Sequence, residues 1–276
     1  MFRNLAAAAA LAVVVASPAL AADAQLKAAV DGAQRAEAHK VRDVHRHPVE
    51  TLTFWGLKPG QTVVEISPGT GYWTEILAPY AKATGGKYVA AVADLDNPKL
   101  SDGARKGRAD FEAKYADAAT FGQIAYVGFG PVSKPLGAAG SADLVITARN
   151  IHNWATQPGM LDKAMKDFHD VLKPGGVLAV EEHRKDPKPE APNWNDGYMS
   201  EATVIAAAEK AGFRLAAKSE INANPKDAKD HPFGVWTLPP TRRTSATGQA
   251  DPSFDRTKYD AIGESDRMTL RFVKAG

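Results

Sequence analysis

The chain contains no cysteine. Disulfide staples, thiolate zinc sites and a cysteine nucleophile are therefore excluded, and the fold must rest on its apolar core. An excess of one charge is also lacking, since 34 Lys+Arg stand against 32 Asp+Glu, a formal net charge of +2. Such a balance gives no electrostatic footprint for nucleic acid or an anionic membrane, so a small-molecule partner is expected. After the N-terminal segment, no stretch approaches the roughly 20 apolar residues that a bilayer core requires.

What is present starts with a leader. Arg3 precedes an apolar run at 5–16, then Pro18 and the small-residue sequence Ala19-Leu20-Ala21. The run is too short to span a membrane and has the pattern of a signal peptide cleaved after Ala21 or Ala22, which predicts an exported, periplasmic protein. A chain of 276 residues, 44% of them hydrophobic, suits one large α/β domain. The expected division is a signal peptide at 1–21, a helical preface or lid at 22–56, and a main domain at 57–276. Helix-favouring residues at 24–46 predict one helix there, and His47-Pro48 separates it from a second at 49–55.

From residue 57 onward, strand and helix patterns alternate. Strands are expected at 62–66, 88–93, 124–128, 142–148 and 176–182, with helices at 72–82, 102–116, 157–172 and 199–211. This alternation predicts a Rossmann-like, doubly wound sheet of about seven strands, mostly parallel, with helices on both faces. Residues 213–221 and 267–274 both read as strands with no strong helix between them, so an antiparallel C-terminal strand is expected. Between them, at about 222–266, lies a long insertion rich in Pro, Gly, Asp and Thr, the composition of a lid or a disordered loop.

The chemistry concentrates where the first strand meets its helix, at Glu65-Ile66-Ser67-Pro68-Gly69-Thr70-Gly71-Tyr72. Glycines there let the backbone turn sharply and approach a nucleotide-like cofactor. A dinucleotide site needs a third glycine where Thr74 stands. S-adenosylmethionine, with its ammonium and sulfonium charges, instead favours a carboxylate, and Glu65 supplies one. A second acid is expected after the next strand to accept the ribose hydroxyls; Asp94 has that spacing, with Asp96 as the fallback.

These residues resemble the first motif of the class I S-adenosylmethionine-dependent methyltransferases, an acid followed by three alternating glycines, with Ser67 in place of the first glycine. Ala142-Asp143-Leu144-Val145-Ile146-Thr147 and Leu172-Lys173-Pro174-Gly175-Gly176-Val177-Leu178 look like that class's fourth strand and the turn into its fifth. The resemblance spans about residues 57–221. More narrowly, Arg42-Asp43-Val44-His45-Arg46-His47-Pro48 and Gly263-Glu264-Ser265-Asp266-Arg267 resemble a group of exported bacterial proteins called predicted methyltransferases. The class implies S-adenosylmethionine as cofactor; the acceptor must be argued from the site.

The expected cofactor-binding set is Glu65, Ser67, Pro68, Gly69, Thr70, Gly71, Tyr72, Asp94 and Arg149. The fourth strand ends in Arg149-Asn150-Ile151-His152-Asn153-Trp154, at the edge that faces the ligand crevice, so His152 and Asn150 form the expected catalytic pair, with His152 as base. The same cluster could instead cap and pack the loop. Glu181-Glu182-His183-Arg184, after the fifth strand, can bind acceptor or be solvated. No metal is expected, because one short cluster without a spaced partner is a weak ligand pattern. Upstream, Asp43 or Arg46 can make ionic contacts to the cofactor as part of a lid, or lie on a solvated helix face. Residues Gly234-Val235-Trp236-Thr237-Leu238-Pro239-Pro240, with Trp194 and Tyr198, suit a wall over a pocket.

A non-catalytic module that binds a nucleoside-like ligand is the competing function. A nucleic-acid methyltransferase is disfavoured, because the Asn/Asp-Pro-Pro-aromatic signature of base methylation is missing after the fourth strand.

Overall fold

The structure is a computed structural model that describes residues 23–187 and 195–275. The expected leader at 1–21 and Trp194 lie outside the described residues. Seven strands form one sheet: β1 (Thr62–Ile66), β2 (Lys87–Ala93), β3 (Ile124–Phe129), β4 (Ala142–Ala148), β5 (Leu172–His183), β6 (Phe213–Ser219) and β7 (Arg267–Lys274). Their spatial order is β3-β2-β1-β4-β5-β7-β6. The pairs among β1 to β5 are parallel, and β7 runs antiparallel to both β5 and β6. This is the expected fold, with order reversing between β1 and β4, where an open α/β sheet binds its ligand.

The central strands are mostly apolar because both faces of the sheet are covered. Successive side chains point to opposite faces. Val63, Leu144 and Ala179 join a cluster with Trp55, Trp73 and Tyr88. Their neighbours Val64, Val145 and Leu178 join one with Trp154, Met165 and Phe168 on the other side. Each such fully buried side chain contributes about 1.5–3 kcal/mol. Helix α9 (Met160–Val171) shows the matching pattern, burying Met160, Ala164, Met165, Phe168 and Val171 at helical spacing. It stops at Leu172 because Pro174 excludes residue 173 from helical geometry.

The remaining helices that cover the main sheet are α5 (Thr74–Thr84), α6 (Asp102–Lys114), α7 (Ala118–Phe121), α8 (Ile151–Ala155) and α10 (Glu201–Lys210). Ser200 caps α10 by accepting the Thr203 N–H at 3.2 Å. Helix α8 was not expected; the chain coils directly on leaving β4, before the helix predicted from 157.

The single helix expected at 24–46 is in fact three: α1 (Ala24–Asp31), α2 (Glu37–Lys40) and α3 (Asp43–Arg46), followed by α4 (Pro48–Trp55). The cause is tertiary. Buried Arg35 donates to both carboxylate oxygens of Asp43, at 2.6 and 2.7 Å. In a continuous helix these residues would be separated by a rise of about 12 Å.

The insertion is folded onto the domain. Asp227, fully buried, accepts from Tyr198 Oη at 3.1 Å and from the Asp266 N–H at 2.7 Å. A short 3-10 turn at Gly234–Thr237 and helix α11 (Thr257–Ile262) are its regular elements. Among the described residues, no helix is long and apolar enough to cross a membrane.

Candidate functional site

A cavity of ≈ 280 Å³ opens at the carboxyl ends of β1 and β4, walled by Glu65, Gly69, Tyr72, Arg149, His152 and Trp236 among others. Ser67, Pro68, Thr70 and Asn150 also reach it, whereas Gly71 and Asp94 do not. Val235, Pro239 and Pro240 line the wall from the insertion, whereas Tyr198, expected with them, is absent from it and donates to Asp227.

The turn after β1 depends on backbone that L-residues rarely adopt. Gly71 has φ +90°, and a Cβ there would sit 1.8 Å from Tyr115 Oη, so a bare backbone is required by packing as well as by conformation. Ser67 holds φ +50°, the left-handed geometry for which the motif's first position favours glycine. Glu65 is buried at the end of β1. Its Oε2 accepts from Thr74 Oγ1 at 2.9 Å and Tyr88 Oη at 2.5 Å. Burial pushes its carboxyl up to about 7 despite those donors.

Asp94 follows β2 and is also buried. One oxygen accepts the Asp96 N–H at 3.2 Å; the other is buried with no hydrogen-bond partner. An orphaned acceptor of this kind fits a ligand hydroxyl. Gly128 on the adjacent strand makes room for it, since a Cβ there would stand 2.6 Å from Asp94 Oδ1. Asp96, the fallback, is exposed and paired with Lys134 at 2.8 Å.

On the β4 side, Arg149 has φ +60° and donates its backbone N–H to Glu181 O at 2.7 Å. Asn150 Nδ2 donates to Ile66 O at 3.1 Å, tying β4 to β1 across the switch point. With a second bond to Thr147 Oγ1 at 3.4 Å, both Nδ2 hydrogens are engaged, while Asn150 still lines the cavity with His152. His152 is buried, with Nδ1 2.9 Å from Glu182 Oε1. Glu182 Oε2 accepts the His152 backbone N–H at 3.2 Å. The His183 ring lies 5.4 Å away, its Nδ1 2.6 Å from Ser265 Oγ. Burial above all, with smaller contributions from neighbouring His152 and Arg267, pushes His183 well below the usual histidine value.

A family model, described as the ubiE/COQ5 methyltransferase family, matches residues 38–217. The chain belongs to the ubiE/COQ5 methyltransferase family. It is therefore an S-adenosylmethionine-dependent methyltransferase. A curated relative, the ubiquinone/menaquinone biosynthesis C-methyltransferase UbiE of Vibrio vulnificus, is 25% identical over 210 residues, covering 76% of this chain and 70% of that protein. Solved structures share the fold. The [4+2]-cyclase SpnF aligns with TM-score 0.54 at 14% identity, covering 84% of this chain and 80% of its own. A geranyl diphosphate C-methyltransferase from Streptomyces coelicolor aligns with TM-score 0.53 at 13% identity, covering 90% of this chain and 87% of its own.

Glu65 and the open backbone at Gly69, both at the cavity, fit the cofactor's positively charged end; the orphaned oxygen of Asp94 fits a ribose hydroxyl but lies outside the cavity's lining. The preface packs on the same turn. Tyr72 Oη donates to Asp43 at 2.6 Å, and Arg46 stacks 4.4 Å over the Tyr72 ring. Glu181 and Glu182 are fully buried at the end of β5, so these two acids belong to the interior, not to a solvated edge.

Sequence reasoning missed Gly128, Tyr115 and the pairing of Glu182 with His152. Only the last left a signal, an acid continuing a buried strand. His152, Glu182 and His183 offer ligand atoms within 4.8 Å of one another, the spacing of a metal cluster. Glu182, however, already accepts three N–H groups, including that of His183 at 2.8 Å.

Proposed function

We propose that this methyltransferase acts on a small organic acceptor with an acidic hydroxyl, and that His152 is its general base. The His152–Glu182 pair at the cavity wall carries the reading. With Glu182 accepting from Nδ1–H, Nε2 is left with its lone pair free to take a proton. The cofactor supplies a sulfonium-bound methyl group, an electrophile that needs an electron-rich acceptor atom. Removing a phenol or enol proton makes nucleophilic both its oxygen and the carbon next to the oxygen-bearing one, the ortho carbon of a phenolate or the far alkene carbon of an enolate. The C-methyltransferase names of the relatives favour carbon. Trp236, Pro239 and Pro240 give the pocket an apolar wall, and Asn150 fixes the loop that carries His152.

Export belongs to the same reading, supported by Arg3, the apolar run and Ala19-Leu20-Ala21; the N-terminal sequence of protein recovered from the periplasm checks it. The function is tested by titrating residues 22–276 with S-adenosylhomocysteine and then screening phenols and enols for methyl transfer. A fall in turnover of roughly a hundredfold or more in His152→Ala, with cofactor affinity retained, is expected. Unchanged turnover in that variant would remove His152 from the chemistry.

A further inference from the structure

Beside the cavity lies a buried ionic network with too many cations. Arg42 Nε is 2.6 Å from Glu264 Oε1, and Arg46 Nε is 3.0 Å from Glu264 Oε2. Arg267 Nη1 bridges Glu181 at 2.7 Å and Glu264 at 2.9 Å. Arg149 approaches the same two acids at 3.9 and 4.0 Å. Four guanidinium groups thus share two carboxylates. The neighbouring acids are already engaged, Asp43 by Arg35 and Glu182 by His152.

The hydrogen-bond inventory repeats the imbalance. Arg42 Nη2, both Nη atoms of Arg46, Arg149 Nε and Arg267 Nε are buried without an acceptor, against one unmet acceptor, Glu181 Oε2. Buried charge without a partner is costly, so a surplus of this kind marks where an anion belongs. The cations hold Glu264 at about 2, although burial alone would raise it. Burial and then the nearby charge of Arg46 lower Arg42, as expected where positive charges crowd. Of the four arginines, Arg42 and Arg149 reach the cavity wall.

The cofactor cannot supply the missing charge alone. It brings one carboxylate, but also an ammonium and a sulfonium, so the pocket with cofactor bound stays positively charged. We infer that the acceptor carries an oxyanionic group, a carboxylate, which docks on Arg42 and Arg149. The inference rests on the methyltransferase reading and narrows its substrate class to anionic hydroxy compounds. Planar guanidinium donors suit a carboxylate, and the arrangement holds the acceptor's other end toward His152 and Trp236.

The test uses enzyme saturated with S-adenosylhomocysteine, titrated with acetate, benzoate and 4-hydroxybenzoate, each against its neutral amide. At least one carboxylate should bind roughly tenfold or more tightly than its amide, and Arg149→Gln and Arg42→Gln should erase that preference. A native-like circular dichroism spectrum and melt show that both variants fold; loss of S-adenosylhomocysteine affinity in a folded variant would assign its arginine to the cofactor's own carboxylate and overturn the inference. Equal binding of acid and amide across the series would overturn the inference, as would carboxylates that bind only the cofactor-free enzyme; the latter result would assign the cluster to the cofactor's own carboxylate. If wild-type protein binds no S-adenosylhomocysteine, the methyltransferase reading itself fails, a result distinct from either.

Discussion

Glu182 holds His152 at two points, accepting its backbone N–H at 3.2 Å and its ring Nδ1 at 2.9 Å. Backbone and ring are thereby fixed by one carboxylate, so the tautomer and the direction of Nε2 are set together. His152→Ala is expected to lower kcat by roughly a hundredfold to ten-thousandfold. Glu182→Gln keeps the shape and should cost about tenfold to a hundredfold. Calorimetry with S-adenosylhomocysteine should show near-native affinity in both; a parallel loss of affinity would mean that the pair only supports the fold.

Glu65 should make stability and cofactor binding depend on pH in opposite directions. Its folded-state carboxyl, raised by burial from 4.5 to about 7, favours the protonated form, so its contribution to stability is fully present below 4.5 and is lost as pH rises through about 7. A cationic ligand prefers the ionised form, so affinity for S-adenosylmethionine should rise over the same interval with release of a proton. Glu65→Gln should flatten both curves. Thermal melts and calorimetry in buffers of different ionisation enthalpy would reveal it, and an unchanged pH dependence in the variant would assign the titration elsewhere.

Asp94 and Asp96 should separate cleanly. The unpartnered buried oxygen of Asp94 costs the free protein stability, so Asp94→Ala should melt at or above the wild-type temperature. Its affinity for S-adenosylhomocysteine should nevertheless fall by about tenfold to a hundredfold. Asp96→Ala should change neither quantity, because that side chain is exposed. Equal effects from the two substitutions would remove Asp94 from the cofactor site.

In the glycine turn, two substitutions should act in opposite senses. Ser67→Gly relieves left-handed backbone at φ +50° and should stabilise the protein by about 1 kcal/mol, a rise of about 2–4 °C in Tm. Gly71→Ala drives a methyl group toward Tyr115 Oη and should destabilise by more than about 1 kcal/mol while weakening cofactor binding. Differential scanning calorimetry distinguishes them; a destabilised Ser67→Gly would show that the serine hydroxyl matters more than its backbone.

The sheet was legible because its information is local and periodic. Apolar runs such as 144–146 and 177–180 are the signature of strands buried on both faces, and the glycines after β1 mark the ligand crevice wherever they follow such a strand. Glu65 and Asp94 could be chosen by spacing for the same reason. The preface was misjudged because helix propensity at 24–46 is real, but the Arg35–Asp43 pair, which exists only in three dimensions, is incompatible with one helix.

By itself, then, the sequence determined the fold, the cofactor and the edge of the sheet where chemistry occurs, all of them set by residues close together in the chain. The tertiary structure decided which polar residues act on one another. Glu182 lies 30 residues from His152, and Glu264 lies 222 from Arg42. No local pattern encodes such pairings, because burial and charge balance arise only when distant segments share the same low-dielectric interior.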